Sequence, residues 1–272
     1  MHYTIVQEIP QDEPRPVQPQ PKPRSNTLWI IAILIAVIAV AGLAVAALLF
    51  IHGDTMGVTV VRMEGTMQTG DYSDDEVVGS EVVGRQLREA ADDPMVEAIV
   101  LRVDSPGGTP AAAQEIIQDL EYARTKKPVV VSMGDMATSA AYYVSAHADK
   151  IYANPDTFTA GVGVIWRFSD ISTWMTREGY NISVIKSGDK KDMGSTSRPL
   201  SMDEQTYAQK IVDDSFEIFI GDVTTERMIN RSDIEDGRVI RGADAIHMNI
   251  IDEFGNLNDA IAGAKKLAEN RS

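Results

Sequence analysis

The sequence has no cysteine among its 272 residues and only four histidines. The lack of cysteine excludes a disulfide framework, a thiol nucleophile and a zinc site built on cysteine. The histidines are His2, His52, His147 and His247, and no pair of them has the spacing of the HExxH metal motif. A P-loop and a GxGxxG fingerprint are absent as well. We therefore expect neither a metal nor a nucleotide cofactor.

Basic residues are also few, since 25 Lys and Arg face 40 Asp and Glu, which gives a net charge of -15. A surface that binds nucleic acid needs Lys and Arg to neutralise phosphates. The composition therefore argues against a nucleic-acid partner and is typical of an acidic, self-repelling surface.

The N-terminal segment, residues 1–26, is polar and has prolines at positions 10, 14, 16, 19, 21 and 23. Such a segment has too little apolar surface to form a core. It is predicted to be a disordered, Pro-rich tail.

An uncharged apolar run of 24 residues extends from Leu28 to Ile51. About 20 apolar residues suffice for a helix to cross the hydrocarbon core of a bilayer. The apolar core of a cleaved signal peptide is shorter and lies closer to the N-terminus. Residues 27–52 are therefore predicted to be a retained transmembrane helix that contacts lipid through residues 28–51.

The distribution of basic residues predicts the orientation of this helix. Arg15, Lys22 and Arg24 precede the apolar run, whereas the first basic residue after it is Arg62. Positive charge near a membrane segment favours the cytoplasmic side. We therefore expect a single-pass protein of the cell membrane with a cytoplasmic tail. Residues 53–272 would form an extracytoplasmic domain large enough for one core.

Within that domain, apolar strand-like and helical segments alternate. Met95–Val103 is predicted to be a strand, Ala111–Arg124 a helix, and the run that begins at Pro128 another strand. This order is typical of an α/β fold with a largely parallel sheet. Ile182–Lys186 and Ile250–Ile251 are predicted to be further short strands.

Ser139 follows the predicted strand at 129–131 and a predicted turn at Gly134-Asp135, and it lies at or near the first turn of an alanine-rich predicted helix. A serine in a first helical turn lies near unpaired N–H groups, which stabilise an alkoxide. The simpler interpretation is that Ser139 caps the helix. The segment alone favours capping, and the choice depends on the rest of the chain.

A nucleophilic serine needs a base. His147 follows Ser139 by eight residues on the same predicted helix, about 12 Å along its axis, which is too far for a direct hydrogen bond. His247 has no local signal. The classes that remain open are a Ser–Lys dyad and Ser–Asp/His variants.

Four separated blocks resemble the signal peptide peptidase A family. They are LRVDSPGG at 101–108, the long block at 132–165, IKSGDKKDMGS at 185–195 and DGRVIRGADAIHMNIIDEFG at 236–255. The blocks occur in the family's order, and the single N-terminal anchor resembles its short, one-domain members.

The resemblance implies which residues form the site. Ser139 matches the family's nucleophile, and Lys191, 52 residues further on, matches its general base. Lys186 and Lys190 are rivals, but the KDMGS context selects Lys191. The backbone N–H groups of Gly108 and Ala140 match the oxyanion donors.

This role makes a physical demand on Lys191. A free lysine has a pKa of about 10.4. Burial would have to lower that pKa toward roughly 7–8 before the amine could accept the Ser139 proton.

Two positions depart from the family pattern. Ala140-Ala141 replace glycines, and Ala160-Gly161 replace a Gly-Ser pair whose serine is thought to hold the lysine. We expect Thr159 or a water molecule to replace that hydroxyl.

The resemblance also implies a crotonase-like or Clp protease-like domain of ββα repeats. It implies a homo-oligomer, about an octamer, whose sites combine the serine and lysine of adjacent protomers. The implied function is a serine endopeptidase that degrades remnant signal peptides and other membrane-associated peptides. The alternatives are a Ser–Lys protease specific for a stomatin-like partner and an inactive crotonase-like scaffold.

Overall fold

The computed structural model describes residues 27–52 and 57–271. The predicted tail at 1–26 lies outside these residues. The chain divides into two compact units after His52. The first described element, helix α1 (Thr27–His52), belongs to the first unit. Among the residues that the structure describes, no helix has both the length and the apolar content of a membrane span. For α1, the described side chains are those at positions 29, 31 and 33–43.

The second unit alternates strands and helices. Its strands are β1 (Val58–Glu64), β2 (Thr66–Gln68), β3 (Val77–Gly79), β4 (Ala98–Ser105), β5 (Val129–Thr138), β6 (Lys150–Ala153), β7 (Phe158–Ala160), β8 (Val239–Arg241) and β9 (Glu253–Phe254). Its helices are α2 (Ser80–Asp92), α3 (Pro110–Arg124), α4 (Ala140–Ala146), α5 (Ser172–Arg177), α6 (Met202–Arg227), α7 (Gly242–Ala245) and α8 (Leu257–Arg271).

The main sheet has the strand order β1-β4-β5-β6-β9, and all of these neighbours are parallel. β7 pairs with the second half of β5 in parallel, and β8 pairs with β7 antiparallel. β2 and β3 form a separate two-stranded sheet. The predicted α/β class with a largely parallel sheet is confirmed.

Both faces of the main sheet are covered, which is why its central strands are apolar along their length. On β4, Ile99 and Leu101 join the larger core with α2, α3 and α4, whereas Ala98 and Val100 join a smaller core under α8. Val130 of β5 also packs toward α8. The alternation follows from the period of two along a strand.

β5 is longer than the sequence predicts, and the predicted turn at Gly134-Asp135 is wrong. The pairing of β4 with β5 shifts register between Val103 and Ser105, so an irregularity takes the place of the turn. At this point the Met136 N–H donates to the Asp104 carboxylate over 3.1 Å. A Cβ at position 134 would lie 2.8 Å from the Asp104 Cγ, so the close approach requires a glycine.

Two short predicted strands are also wrong. Ile182–Lys186 forms no strand, because Ile185 is fully exposed and the segment lies beside no other strand in the described residues. Ile250–Ile251 is buried but irregular, and the strand of this region is β9, which pairs with β6. In the second case the apolar residues indicated burial and not strand pairing.

Candidate active site

Ser139 occupies the single residue between β5 and α4. Its backbone has φ 56° and ψ -128°, a conformation that a residue with a side chain rarely adopts. The Ser139 N–H donates to the Ala160 carbonyl over 2.8 Å, and the Ser139 carbonyl accepts from the Tyr143 N–H over 2.9 Å. Strain of this kind persists only where the surroundings enforce it, and it is common at active sites.

The Ser139 hydroxyl does not cap α4. Its side chain makes no capping hydrogen bond, although Ser139 is the N-cap residue by position. The capping interpretation therefore does not account for this serine.

The loop after β4 passes directly against Ser139. Gly107 has φ 102°, and a Cβ there would lie 2.9 Å from the Ser139 Cβ and 2.9 Å from the Ala140 nitrogen. The loop is fixed from its other side, because the Met67 N–H donates to the Gly107 carbonyl and the Thr109 N–H donates to the Met67 carbonyl.

Gly108 and Ala140 lie together on the wall of a pocket that Ser139 also lines. Neither backbone N–H has a hydrogen-bond partner among the residues that the structure describes. Two unpaired N–H groups beside a serine hydroxyl have the composition of an oxyanion hole. Both residues are those that the sequence predicts for this role.

This first pocket has a volume of about 140 Å³ and a largely apolar wall. Tyr143 of α4 and Phe219 of α6 form part of it, with their ring centroids 4.6 Å apart. The Tyr143 hydroxyl donates to the Asp222 carboxylate of α6. Burial, together with this hydrogen bond, raises the pKa of Tyr143 well above its usual value, so the hydroxyl stays protonated.

A second, wider pocket of about 530 Å³ also borders Ser139. Gly161 and the segment Gly163–Ile165 line it, and Gly163–Ile165 lines the first pocket too. Ser139 therefore lines two pockets that share the irregular segment Gly163–Ile165.

Lys191 does not line either pocket of Ser139 within one chain. It is exposed in an irregular loop, where its backbone N–H donates to the Gly188 carbonyl over 3.1 Å. The two rival lysines are engaged. Lys186 Nζ lies 2.7 Å from the Asp192 carboxylate, and Lys190 pairs with Asp203. Of the three amines, that of Lys191 alone has no partner among the described residues.

His147 and His247 do not lie beside Ser139 either. His147 ends α4, is buried, and its Nδ1 lies 3.0 Å from the Glu121 carboxylate. His247 is exposed in a short turn after α7. Neither lines a pocket with Ser139.

Of the two expected replacements for the family serine that Gly161 lacks, Thr159 and a water molecule, Thr159 does not fit the role. The Thr159 side chain is completely buried, and its hydroxyl donates to the Ala137 carbonyl over 3.0 Å. Thr159 is therefore occupied within the sheet and is not available to hold a lysine.

Only one group of side chains in the described residues resembles a metal site. Candidate ligand atoms of Glu121, His147 and Glu226 lie within 4.8 Å of one another. However, the Arg124 guanidinium lies 2.9 Å from Glu121 and 3.7 Å from Glu226. A cation already neutralises these carboxylates, so the group is an ion-pair cluster by its composition.

Sequence reasoning missed the walls of the first pocket and the ion pairs around the Lys191 loop. Phe219 has no signal in the sequence beyond its apolar character. The Ser201-x-x-Glu204 spacing, which is the signature of a capping box, could have predicted the start of α6 and the anchor beside the loop.

The fold and this geometry define an α/β protein with a candidate serine-nucleophile site at the carboxyl end of a parallel strand. A family model described as "Peptidase family S49" matches residues 121–271, a range that contains both Ser139 and Lys191. The chain belongs to this family.

Similar proteins carry related names. Protease 4 of Haemophilus influenzae is 33% identical over 218 residues, which are 79% of this chain and 35% of that protein. The chloroplastic serine protease SPPA of Arabidopsis thaliana is 28% identical over 220 residues, 78% of this chain and 31% of that protein. The chain thus spans about a third of the length of these relatives. A solved structure, the 1510-N membrane-bound stomatin-specific protease, has a TM-score of 0.49 at 19% identity and covers 74% of this chain and 81% of its own.

Proposed function

We propose that this protein is a membrane-anchored serine endopeptidase with Ser139 as nucleophile and Lys191 as general base. The observation that carries the proposal is the backbone of Ser139. It is held in a strained conformation at the strand–helix junction, its hydroxyl is not used as a cap, and two unpaired N–H groups line the same pocket. Membership of peptidase family S49 and the names of the relatives support the class of reaction.

In the proposed reaction the neutral Lys191 amine takes the proton from the Ser139 hydroxyl. The Ser139 oxygen attacks the peptide carbonyl carbon, and the carbonyl oxygen becomes an oxyanion that accepts hydrogen bonds from the Gly108 and Ala140 N–H groups. The Lys191 ammonium then returns its proton to the leaving amine. The acyl-enzyme is hydrolysed by water, whose proton passes to Lys191 and from there to the Ser139 oxygen.

We propose that Lys191 reaches Ser139 from an adjacent copy of the chain in a homo-oligomer, about an octamer. Lys191 is exposed, its amine has no partner among the residues that the structure describes, and it lines neither Ser139 pocket. The segment that leads to it is unusually apolar for a surface. Its exposed residues include Ile165, Trp166, Trp174, Tyr180, Ile182 and Ile185. Exposed apolar side chains in this number along one segment favour a surface that a protein partner covers.

The proposed substrates are apolar peptides, such as remnant signal peptides and other membrane-associated segments. An engineered cavity of about 150 Å³ with apolar walls holds one benzene molecule. The first pocket, at about 140 Å³, therefore fits one aliphatic or phenyl side chain of the substrate.

We propose that residues 27–52 anchor the enzyme and that residues 53–272 lie outside the cytoplasm. The uncharged run Leu28–Ile51 is long enough to cross a bilayer, and the whole range is one helix. Arg15, Lys22 and Arg24 on the N-terminal side support a cytoplasmic tail.

The test is cleavage of an internally quenched apolar peptide by the detergent-solubilised full chain. We expect Ser139→Ala and Lys191→Ala each to lower kcat by about a thousandfold or more. Lys190→Ala is the matched control, because it removes a neighbouring lysine that is already paired with Asp203. It should keep close to wild-type activity.

Mixing the two inactive variants tests the shared site. If Ser139 and Lys191 come from different protomers, mixed oligomers contain some complete sites and recover activity. If Lys191→Ala stays active while Ser139→Ala does not, Lys191 is not the base. A wild-type protein that cleaves no peptide favours the scaffold alternative.

A further inference from the structure

The loop that carries Lys191 is held by ion pairs at the next residue, Asp192. The Asp192 carboxylate accepts two hydrogen bonds from Arg198, at 2.9 Å from Nε and 2.7 Å from Nη2. Lys186 Nζ contacts the same carboxylate over 2.7 Å. Only 13% of the Asp192 side chain is exposed, although Lys191 beside it is open to solvent.

Arg198 holds a second carboxylate on the far side of its guanidinium. Glu204 accepts from Nη1 over 2.8 Å and from Nη2 over 2.6 Å. Glu204 is itself fixed, because it is buried and lies in the first turn of α6. Its carboxylate accepts from the Ser201 N–H, and its own N–H donates to the Ser201 hydroxyl.

α6 also forms the wall of the Ser139 pocket. Ser215, Ile218 and Phe219 line that pocket, and Asp222 holds Tyr143. The same helix that shapes the nucleophile's pocket is therefore the element to which the Lys191 loop is fastened. Most backbone bonds of the loop are short-range, such as those from Met193 to Lys190 and from Ser195 to Asp192, and the Thr196 carbonyl also accepts from the Ile171 N–H over 2.9 Å.

The chemistry of this link requires arginine. A planar guanidinium presents its N–H groups in a rigid fork and binds two carboxylates in two-point contacts. A lysine ammonium is a point charge and cannot hold both in one fixed geometry. The strong fall in the pKa of both carboxyl groups has Arg198 as its first cause, so both remain charged partners at neutral pH.

We propose that Arg198 is a positioning residue for Lys191. Arg198 links Asp192, in the loop that carries Lys191 (the base loop), to Glu204 at the start of α6. The proposal rests on the proposed function. It applies whether Lys191 acts within its own chain or reaches the site of an adjacent copy, because the link is formed within one chain.

The experiment measures how fast Ser139 is labelled by a fluorophosphonate probe in the full-length, detergent-solubilised protein, together with kcat and KM on an apolar peptide. Arg198→Ala should lower the labelling rate and kcat by about 10- to 100-fold, which is the range for a displaced catalytic group, and leave KM within about twofold. Arg198→Lys should recover only a small part of the loss.

Arg124→Ala is the matched control. Arg124 is similarly half-buried and also pairs with several carboxylates, but on α3 and away from the base loop. It should change thermal stability without a comparable loss of kcat. If Arg198→Ala does not fold, Arg198→Lys carries the same comparison, because it keeps the positive charge.

A double-mutant cycle separates positioning from a general structural effect. In a Lys191→Ala background, Arg198→Ala should change the labelling rate by less than about twofold, because the group that it positions is already gone. An equal loss with and without Lys191, or a wild-type rate for Arg198→Ala, overturns the proposal. If Lys191→Ala itself is labelled at the wild-type rate, the dyad is wrong and the positioning role fails with it.

Discussion

Gly107 packs against Ser139, because a Cβ at position 107 would lie 2.9 Å from the Ser139 Cβ. The two residues come from the ends of neighbouring parallel strands. Both have positive φ, at 102° for Gly107 and 56° for Ser139. The close approach packs Ser139 and the loop that carries Gly108 into one unit.

Gly107→Ala should therefore disrupt this unit. The new methyl group meets backbone atoms that cannot move aside, and a positive φ adds strain of about 1–3 kcal/mol. We expect a lower melting temperature and loss of fluorophosphonate labelling at Ser139. Gly221→Ala on α6 is the control, because a Cβ there meets nothing within 4 Å and alanine favours a helix. Wild-type labelling of Gly107→Ala would contradict the close packing.

Ile218→Ala should change substrate binding more than stability. The side chain lines the first pocket but remains 53% exposed, so its removal leaves no internal cavity. Loss of part of an apolar wall weakens burial by about 1 kcal/mol or more, which corresponds to a roughly five- to tenfold rise in KM for peptides with an apolar side chain.

Met202→Ala is the comparison for Ile218→Ala. Met202 is exposed on the same helix and lines neither Ser139 pocket. Its KM should equal that of the wild type. An equal KM for both variants would show that the first pocket does not bind the substrate side chain.

The ion pair between Glu204 and Arg198 predicts that the free energy of unfolding falls at acid pH. Arg198 lowers the pKa of Glu204 from 4.5 to about 2, helped by the Ser201 N–H. A folded-state pKa below the unfolded value means that the stabilisation is complete above about pH 4.5 and is lost as the pH falls toward 2. The urea midpoint should therefore drop between pH 5 and pH 3 in the wild type.

In Arg198→Ala the same drop should be smaller, since the carboxyl group no longer has its main partner. Parallel curves for the wild type and the variant would argue against this ion pair as the cause. Lys210→Ala serves as the control, because its pair with Asp214 is exposed and such pairs contribute little.

Chelation of divalent metals should leave peptide cleavage unchanged. The proposed dyad uses a lysine amine and backbone N–H groups, and the Glu121, His147 and Glu226 group already contains Arg124. Activity before and after dialysis against EDTA measures this directly. Loss of activity that zinc or manganese restores would require a metal in the reaction.

The alternation of strand and helix was predictable because its signals are local. Val129–Val131 and Ile99–Leu101 are apolar on both faces, as expected for strands covered on both sides. Local signals failed where tertiary contacts decide the outcome. Gly134 resembles a turn residue, but it lies within β5, where the Asp104 side chain comes so close that a Cβ at position 134 would lie 2.8 Å from its Cγ.

The candidate site also has one part that sequence motifs singled out and one part that they leave open. The family resemblance singled out Ser139, Gly108 and Ala140 by motif, and the structure brings these three residues to one pocket. The Lys191 assignment stays a prediction, because within one chain this residue lines no pocket with Ser139.

The sequence by itself determined the α/β order and the apolar N-terminal run, because each depends on residues close together in the chain, and its resemblance to a family singled out Ser139, Gly108 and Ala140. Only the tertiary structure decided that Gly107 and Ser139 pack against each other, that Lys186 and Lys190 are already paired, and that Arg198 joins the base loop to α6. The first contact joins two segments that meet only because their parallel strands pair. The ion pairs join residues close in sequence, but they depend on the conformation of an irregular loop, which no periodic pattern of residues encodes.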